Sequence, residues 1–444
     1  MLEVIDLSTL QRETLSVGEK IALLRIHNKI TQVAFAEEIK AGLDRVSKVE
    51  SGKGEYTEIQ VKAAKILFKI VGLPLSERER VVFIERLYRW RDAIRARDMD
   101  EARKIYKEMA NIDNLEPCDF DMVMLCKIFE AYMLMVENDL AAAGKILNSA
   151  ASKLERMNNE NQYHYYMNKG YFDYLQGHHE DSLVFYQKAE KLLSSNEELL
   201  PEDDAILYYN IGLCYSYIQI PYMAIHYFLK ARQIYPENRK NSWYQYLNFN
   251  LALNYIKVNQ PNEAEKLLNK CTVRAEGAKD DFMIGLSLYG FGHMHKNAEN
   301  WTIAIRYFEQ AIDYLPNETN GYFSAFYHMI FCMIKARLFS KARDELEIAQ
   351  AECKNNELWA TYFQSLEHFF SISKRMSIVN YIASDYIENI AIPYFRKNHD
   401  HFIALEYCAL LEQHYEKIRR TTTPINIKAM IIDIQEHVFF QKKR

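Results

Sequence analysis

"LYYNIGLCYSYIQIPYMAIHYFLKARQIYP", residues 207–236, decides how the rest of the chain is read. Counting from Gly212, Tyr215 follows at +3, Ala224 at +12, Phe228 at +16, Ala231 at +19 and Pro236 at +24. That spacing describes two antiparallel helices. Gly212, Ala224 and Ala231 are small enough to let them approach closely. Tyr215 and Phe228 are expected to fill the gap between neighbouring pairs. Pro236 has no N–H and ends the second helix. Asn210 is the exception, an amide inside an apolar and aromatic run.

The same spacing recurs, and it is the tetratricopeptide pattern. Further copies give Gly170, Ser182, Tyr186 and Ala189; Ala252, Tyr255, Ala264, Leu268 and Cys271; Gly292, Ala304, Phe308, Ala311 and Pro316; and Ile330, Ala342, Leu346 and Ala349. Weaker copies centre on Ala102, Ala143 and Ala404. The markers Ala102, Ala143, Ser182, Ala224, Ala264, Ala304 and Ala342 are separated by 41, 39, 42, 40, 40 and 38 residues. Residues 357–396 read as helical without a clear phase. The tail from Thr421 reads as a closing amphipathic helix, which a stack of repeats needs over its last apolar face.

Composition agrees. Gly and Pro number 14 and 9 in 444 residues, too few breakers for anything but long helices, and no alternating strand pattern is present. The hydrophobic share of 49% and a net charge of -5 describe a globular chain and exclude a generally basic nucleic-acid coat. No apolar run reaches the roughly 20 residues of a membrane span, and the first residues lack a secretory pattern. The seven cysteines are scattered without a C-x-x-C pair, which suits a cytoplasmic location and argues against a disulfide framework or a cysteine zinc site. His293 and His295 lie two apart, off a common helical face, and make a poor metal pair. No catalytic constellation and no cofactor motif is present, so the chain is not expected to be an enzyme.

The first 75 residues differ from the rest. Short helical patterns run through "SVGEKIALLRIHN", "TQVAFAEEIK", "LDRVSKVESGK" and "TEIQVKAAKILFKIVG", the last extending to Gly72 before Pro74. Thr31 is a good N-cap. Helix, tight turn and helix within about 25 residues is the helix-turn-helix signature. Together these stretches resemble the repressor-type helix-turn-helix of phage repressors and bacterial regulators. That resemblance places the third helix in the major groove, with Arg45, Ser47 and Lys48 reaching DNA. Gln32 would sit at backbone or a base edge, and Lys53 at phosphate. The family carries Gly directly after the last apolar residue of the second helix. Here Lys40 and Ala41 follow Ile39 and Gly42 comes late, which leaves the register of the third helix open. Residues 16–73 hold ten basic against seven acidic side chains, a net +3. A single copy so weakly charged binds DNA poorly, and specific binding to double-stranded DNA then needs a homodimer or higher homo-oligomer.

In the repeats, Asn168, Asn210 and Asn250 occupy one position on three successive first helices; the position becomes Gly290 and then His328. One residue earlier stand Met167, Tyr209, Phe249, Tyr289 and Tyr327. In tetratricopeptide folds this face lines the inner groove. An amide offers both donor and acceptor to an extended peptide backbone, and aromatics form side-chain pockets. His293 is counted with this lining. The competing reading is structural, with amides bonded to a neighbouring helix and aromatics in the core.

A repressor-type helix-turn-helix before a tetratricopeptide array resembles the RRNPP-type peptide-pheromone receptors of Gram-positive bacteria, the Rap, NprR, PlcR, PrgX and Rgg group. Length and repeat number look most like the NprR type or a related phage or orphan receptor. The resemblance implies an all-α chain, with a helix-turn-helix domain followed by a right-handed tetratricopeptide superhelix. Residues 1–75 would bind DNA, 76–123 form a linker helix and a degenerate repeat, 124–420 bind peptide, and 421–444 cap the array. It implies a cytoplasmic quorum-sensing transcription regulator switched by a short oligopeptide pheromone. The alternative is a peptide-controlled adaptor that sequesters a protein partner such as a response regulator.

Overall fold

A computed structural model describes residues 15–70, 75–109, 112–193, 201–234, 243–317, 319–418, 425–436 and 438. The fold class is all-α: among the described residues every element is helical. The chain divides into two compact units, residues 1–199 and 200–444, a division that falls within the repeats.

The first unit opens with four short helices, α1 (Val17–His27), α2 (Gln32–Glu38), α3 (Leu43–Glu50) and α4 (Glu58–Leu67). Ser16, Thr31 and Thr57 each cap one of them with a side-chain oxygen, which accepts from an otherwise orphaned N–H. Three pairs follow: α5 (Glu77–Arg95) with α6 (Met99–Glu108), α7 (Phe120–Val136) with α8 (Leu140–Ala151), and α9 (Asn159–Leu175) with α10 (His179–Leu193). The short helices are not a separate bead. Ile21, Phe35, Val46 and Phe68 share one apolar core with Phe83, Leu87 and Trp90 of α5. Lys20, fully buried on α1, lies 3.3 Å from the Asp119 carboxylate just before α7.

Lys40 answers the question about the turn. It adopts φ 54°, the left-handed conformation that glycine usually supplies. Gly42 instead serves as N-cap of α3 in extended backbone. The turn is therefore of the ordinary kind with a lysine in the glycine place, and α3 begins at Leu43. The fourth helix ends earlier than its sequence pattern suggested, at Leu67, because Lys69 is also left-handed. Gly72 and Pro74 lie outside the described residues.

The second unit continues the pairs: α11 (Pro201–Tyr217) with α12 (Pro221–Ile234), α13 (Trp243–Lys257) with α14 (Pro261–Ala278), α15 (Asp281–Asn297) with α16 (Trp301–Tyr314), and α17 (Asn320–Lys335) with α18 (Phe339–Glu352). Then α19 (Glu357–Lys374) stands alone, which is why this stretch resists phasing. α20 (Tyr381–Tyr386) runs through a π turn into α21 (Ile392–Lys397), and α22 (His401–Lys417) returns from it. The closing helix, α23, is described over Ile425–Gln435. Residues 421–424 and 439–444 of that expected cap, and Pro236, lie outside the described residues.

Every pair turns the same way. Arg97, Asn138, Gly177, Gln219, Asn259, Glu299, Arg337 and His399 all have positive φ. Five residues after each comes Ala102, Ala143, Ser182, Ala224, Ala264, Ala304, Ala342 or Ala404, each 0% exposed. Ser182 is the one polar member and is satisfied by donating to Gly170 O at 2.7 Å. The aromatic markers act within a pair rather than between pairs. A Cβ on Gly212 would lie 2.7 Å from the Phe228 ring, and one on Gly170 would lie 2.7 Å from Tyr186. Tyr215 likewise stacks on Tyr227 of its own pair at 5.7 Å.

Two outcomes follow from these contacts. Gly212→Ala should destabilise the chain by about 1–3 kcal/mol through overpacking against Phe228, read as a lower urea midpoint, with Phe228→Leu restoring part of the loss. Lys40→Gly should stabilise the helix-turn-helix by about 1 kcal/mol by relieving the left-handed lysine; an unchanged midpoint would show that the turn carries no strain.

Candidate functional site

The exposed face of the short helices is set by two apolar anchors. Val46 and Val49 of α3 are buried, and Val49 packs so closely on α1 that a Cβ at Gly18 would overlap it at 2.2 Å. With those residues turned inward, Arg45, Ser47, Lys48 and Lys53 are all exposed. Arg45 folds back, donating from Nη2 to Glu55 O at 2.7 Å. Gln32 is half-buried, and its Nε2 donates to Glu50 at 2.7 Å. The same carboxylate receives Arg25 through both Nε and Nη2, at 2.6 and 2.7 Å. This fork ties the ends of α1, α2 and α3 together and fixes where Gln32 sits. Neither Gly18 nor the Arg25–Glu50 fork was singled out from sequence, although a glycine early in a helical pattern was there to see.

The amide positions behave differently from one another. Asn168, in the first unit, is buried and donates from Nδ2 to Ile128 O of α7 at 3.0 Å. That is the structural role, a tie between successive first helices. In the second unit, Asn250 donates to Tyr209 Oη at 3.1 Å and to Tyr246 O at 2.9 Å. Asn210 is half-buried and has no side-chain hydrogen bond among the described residues. Gly290 breaks the series for a packing reason: a Cβ there would meet Leu268 at 2.6 Å.

The aromatic series is mostly packing, contrary to its expected place on an open face. Met167, Phe249 and Tyr327 are buried, and Tyr327 donates to Tyr407 Oη of α22 at 3.1 Å. Successive first helices lie side by side, so a residue aimed at the neighbour is covered by it. Tyr209 and Tyr289 keep partial exposure. Burial raises both phenols, Tyr289 to about 12. Tyr289 Oη bonds Ser324 Oγ at 2.8 Å.

His293 and His328 come together as one cluster. Their ring centroids are 4.3 Å apart, and Tyr289 lies 4.5 Å from His293. Burial drives both imidazoles well below their ordinary value, followed by Lys296 and Lys257 for His293 and by His293 and then Lys296 for His328. They are neutral at physiological pH. His293 Nε2 and His328 Nδ1 are buried without a partner. These unpartnered nitrogens and, separately, the Asn210 amide leave this unit with hydrogen-bonding capacity that the fold itself does not use.

No protein-family model and no curated protein matches the chain. Solved structures do. The apo form of the quorum sensor NprR from B. thuringiensis aligns over 79% of this chain and 98% of its own, at 19% identity and a TM-score of 0.65. NprR in complex with its cognate peptide NprX aligns over 79% and 98%, at 20% and 0.64. A Rap protein complexed with competence and sporulation factor aligns over 80% and 98%, at 16% and 0.67. The chain shares the fold of these proteins, the group that its sequence resembles.

The two kinds of amide separate in a simple measurement. Asn168→Ala should lower stability by about 1 kcal/mol through the lost buried bond. Asn210→Ala should leave it within about 0.5 kcal/mol. Equal losses in urea unfolding would show that Asn210 is also a structural tie.

Proposed function

We propose that the chain is a DNA-binding regulator gated by a short oligopeptide. The helix-turn-helix supplies the DNA face, with Arg45, Ser47 and Lys48 toward bases or backbone, Lys53 toward phosphate, and Gln32 at the N-terminus of α2. The repeats supply the receptor, with Asn210, Asn250, Tyr209, Tyr289, His293 and His328 as peptide contacts. Asn168, Phe249 and Tyr327 act behind them, holding the helices that present these groups. The observation that carries the reading is the unspent hydrogen-bonding capacity of Asn210, His293 and His328 on the first helices of the second unit. Its support from outside is the fold shared with NprR in complex with NprX and with Rap in complex with competence and sporulation factor. For the peptide to switch the protein it must bind two arrangements of the chain with different affinity. A homodimer and a cytoplasmic location belong to the same reading; no described helix is long and apolar enough to cross a membrane.

The adaptor reading has one observation in its favour. Ile59 and Ile66 stand seven residues apart on α4, 79% and 77% exposed. That face suits protein contact, with a second copy of this chain or with a partner such as a response regulator.

A gel shift on the DNA upstream of the chain's own gene tests the proposal. A retarded band is expected, weakening steeply with salt and at least about tenfold in Arg45→Ala/Lys48→Ala. No band below about 10 µM, where non-specific binding sets in, would sink the regulator and leave the adaptor.

A further inference from the structure

A cavity of about 600 Å³ opens in the second unit, where the C-terminal ends of α13, α15 and α17 meet α22. Its charged lining is unbalanced. Lys257, Lys296, Lys335, Arg337 and Lys417 face only Glu299 and Glu406. Lys296 is paired, with Nζ 2.6 Å from Glu406 Oε1. The other four cations are in no ion pair among the described residues. Lys257 donates to a backbone carbonyl, Ser216 O at 3.3 Å, and Lys335 lies 5.6 Å from the centre of the Trp301 ring. Burial pulls the Lys257 ammonium down to about 8 against the opposing charge of Asp400. Lys335, Arg337 and Lys417 are exposed at its mouth while Lys257 and Lys296 are more shielded, and the excess of cations over carboxylates gives the cavity a positive field that favours an incoming anion. Glu406 already places a carboxylate on the site, and its second oxygen is buried without a partner.

The lysines are also in register with the peptide positions. Lys257 is seven residues after Asn250, Lys296 seven after Tyr289, and Lys335 seven after His328. Seven residues are two helical turns, about 10 Å along the same face. A chain laid across α13, α15 and α17 at the level of Asn250 and His328 therefore runs beside a row of three ammonium groups. A lysine and an acidic side chain reaching toward each other span that gap.

We propose that this cavity binds a side-chain carboxylate of the peptide ligand, so that the ligand is an acidic peptide whose Asp or Glu seats among Lys257, Lys296 and Lys335. The proposal rests on the peptide-receptor reading above and adds the chemistry of the ligand. It also gives Glu406 a role: in the free protein it holds the place of the ligand carboxylate on Lys296.

Affinity selection tests it, with the full-length protein immobilised, a synthetic randomised heptapeptide library as the probe, and retained peptides identified by mass spectrometry. Retained peptides should be enriched in Asp and Glu by about tenfold over the library, the scale of one charge-assisted hydrogen bond. Lys257→Met/Lys335→Met should still retain peptides, which reports on its fold, but without acidic enrichment. Glu406→Gln should strengthen the enrichment. Peptides retained by the wild type with no acidic bias would overturn this inference and leave the receptor reading standing. No peptide retained would overturn both. Thermal stabilisation by inorganic phosphate alone, with no peptide retained, would make the cavity a site for a free anion and overturn the inference as well.

Discussion

After each left-handed turn residue, the next backbone N–H reaches a carbonyl five positions back, from Asp98 to Ala93 at 3.0 Å through Asp400 to Phe395 at 2.7 Å. This bond closes the first helix and sets the direction in which the second leaves. The carbonyl of that same residue then accepts from the small residue four places on, as Ile220 O does from Ala224 N at 3.2 Å and Asp400 O from Ala404 N at 3.0 Å. The second helix thus starts with its small residue already facing the first. Close approach follows, and glycines such as Gly212 and Gly292 become necessary because a ring of the returning helix lies on them. Both units are built from repetitions of this one turn, and the face left to the first helices is where unused polar groups collect.

Most of that plan was legible. The small-residue markers could be counted from the sequence because close packing tolerates only Ala, Gly or Ser there. Even the faint copy at Ala404 marks a pair with the same turn as the others. What stayed hidden was whatever depends on which neighbour a side chain meets. Asn168, Asn210 and Asn250 share a position, yet one ties two helices and one is free, since the outcome depends on whether a carbonyl of the preceding helix lies within reach. The aromatic series read as a lining because helical spacing places it on one face. Spacing does not say that the next first helix covers that face at Phe249 and Tyr327. The lysine row was missed for a different reason. Its members lie near helix ends, where a basic residue ordinarily means only a favourable dipole contact.

The buried Lys20 and Asp119 make the four short helices and the first repeats one structural problem. Burial pushes the Asp119 carboxyl up, and Lys20 and Arg80 oppose that shift. A buried pair of this kind adds little net stability but penalises heavily any arrangement that separates its members. With a continuous core beside it, the geometry of α1 is held to that of α7. A movement of the first repeats would be passed to the short helices rather than absorbed by a hinge.

The turn residues carry one more implication. Arg97, Gln219, Glu299, Arg337 and His399 sit where glycine or asparagine would be comfortable, and each forgoes about 1 kcal/mol. Glycine or asparagine at those five turns is the kind of change by which a natural fold gains stability. The shortfall is not shared equally, because Asn138, Gly177 and Asn259 fill three of the eight turns with residues that accept the conformation. In the second unit the turn at Asn259 is the relaxed one, and the pairs that turn at Gln219, Glu299, Arg337 and His399 carry the local strain.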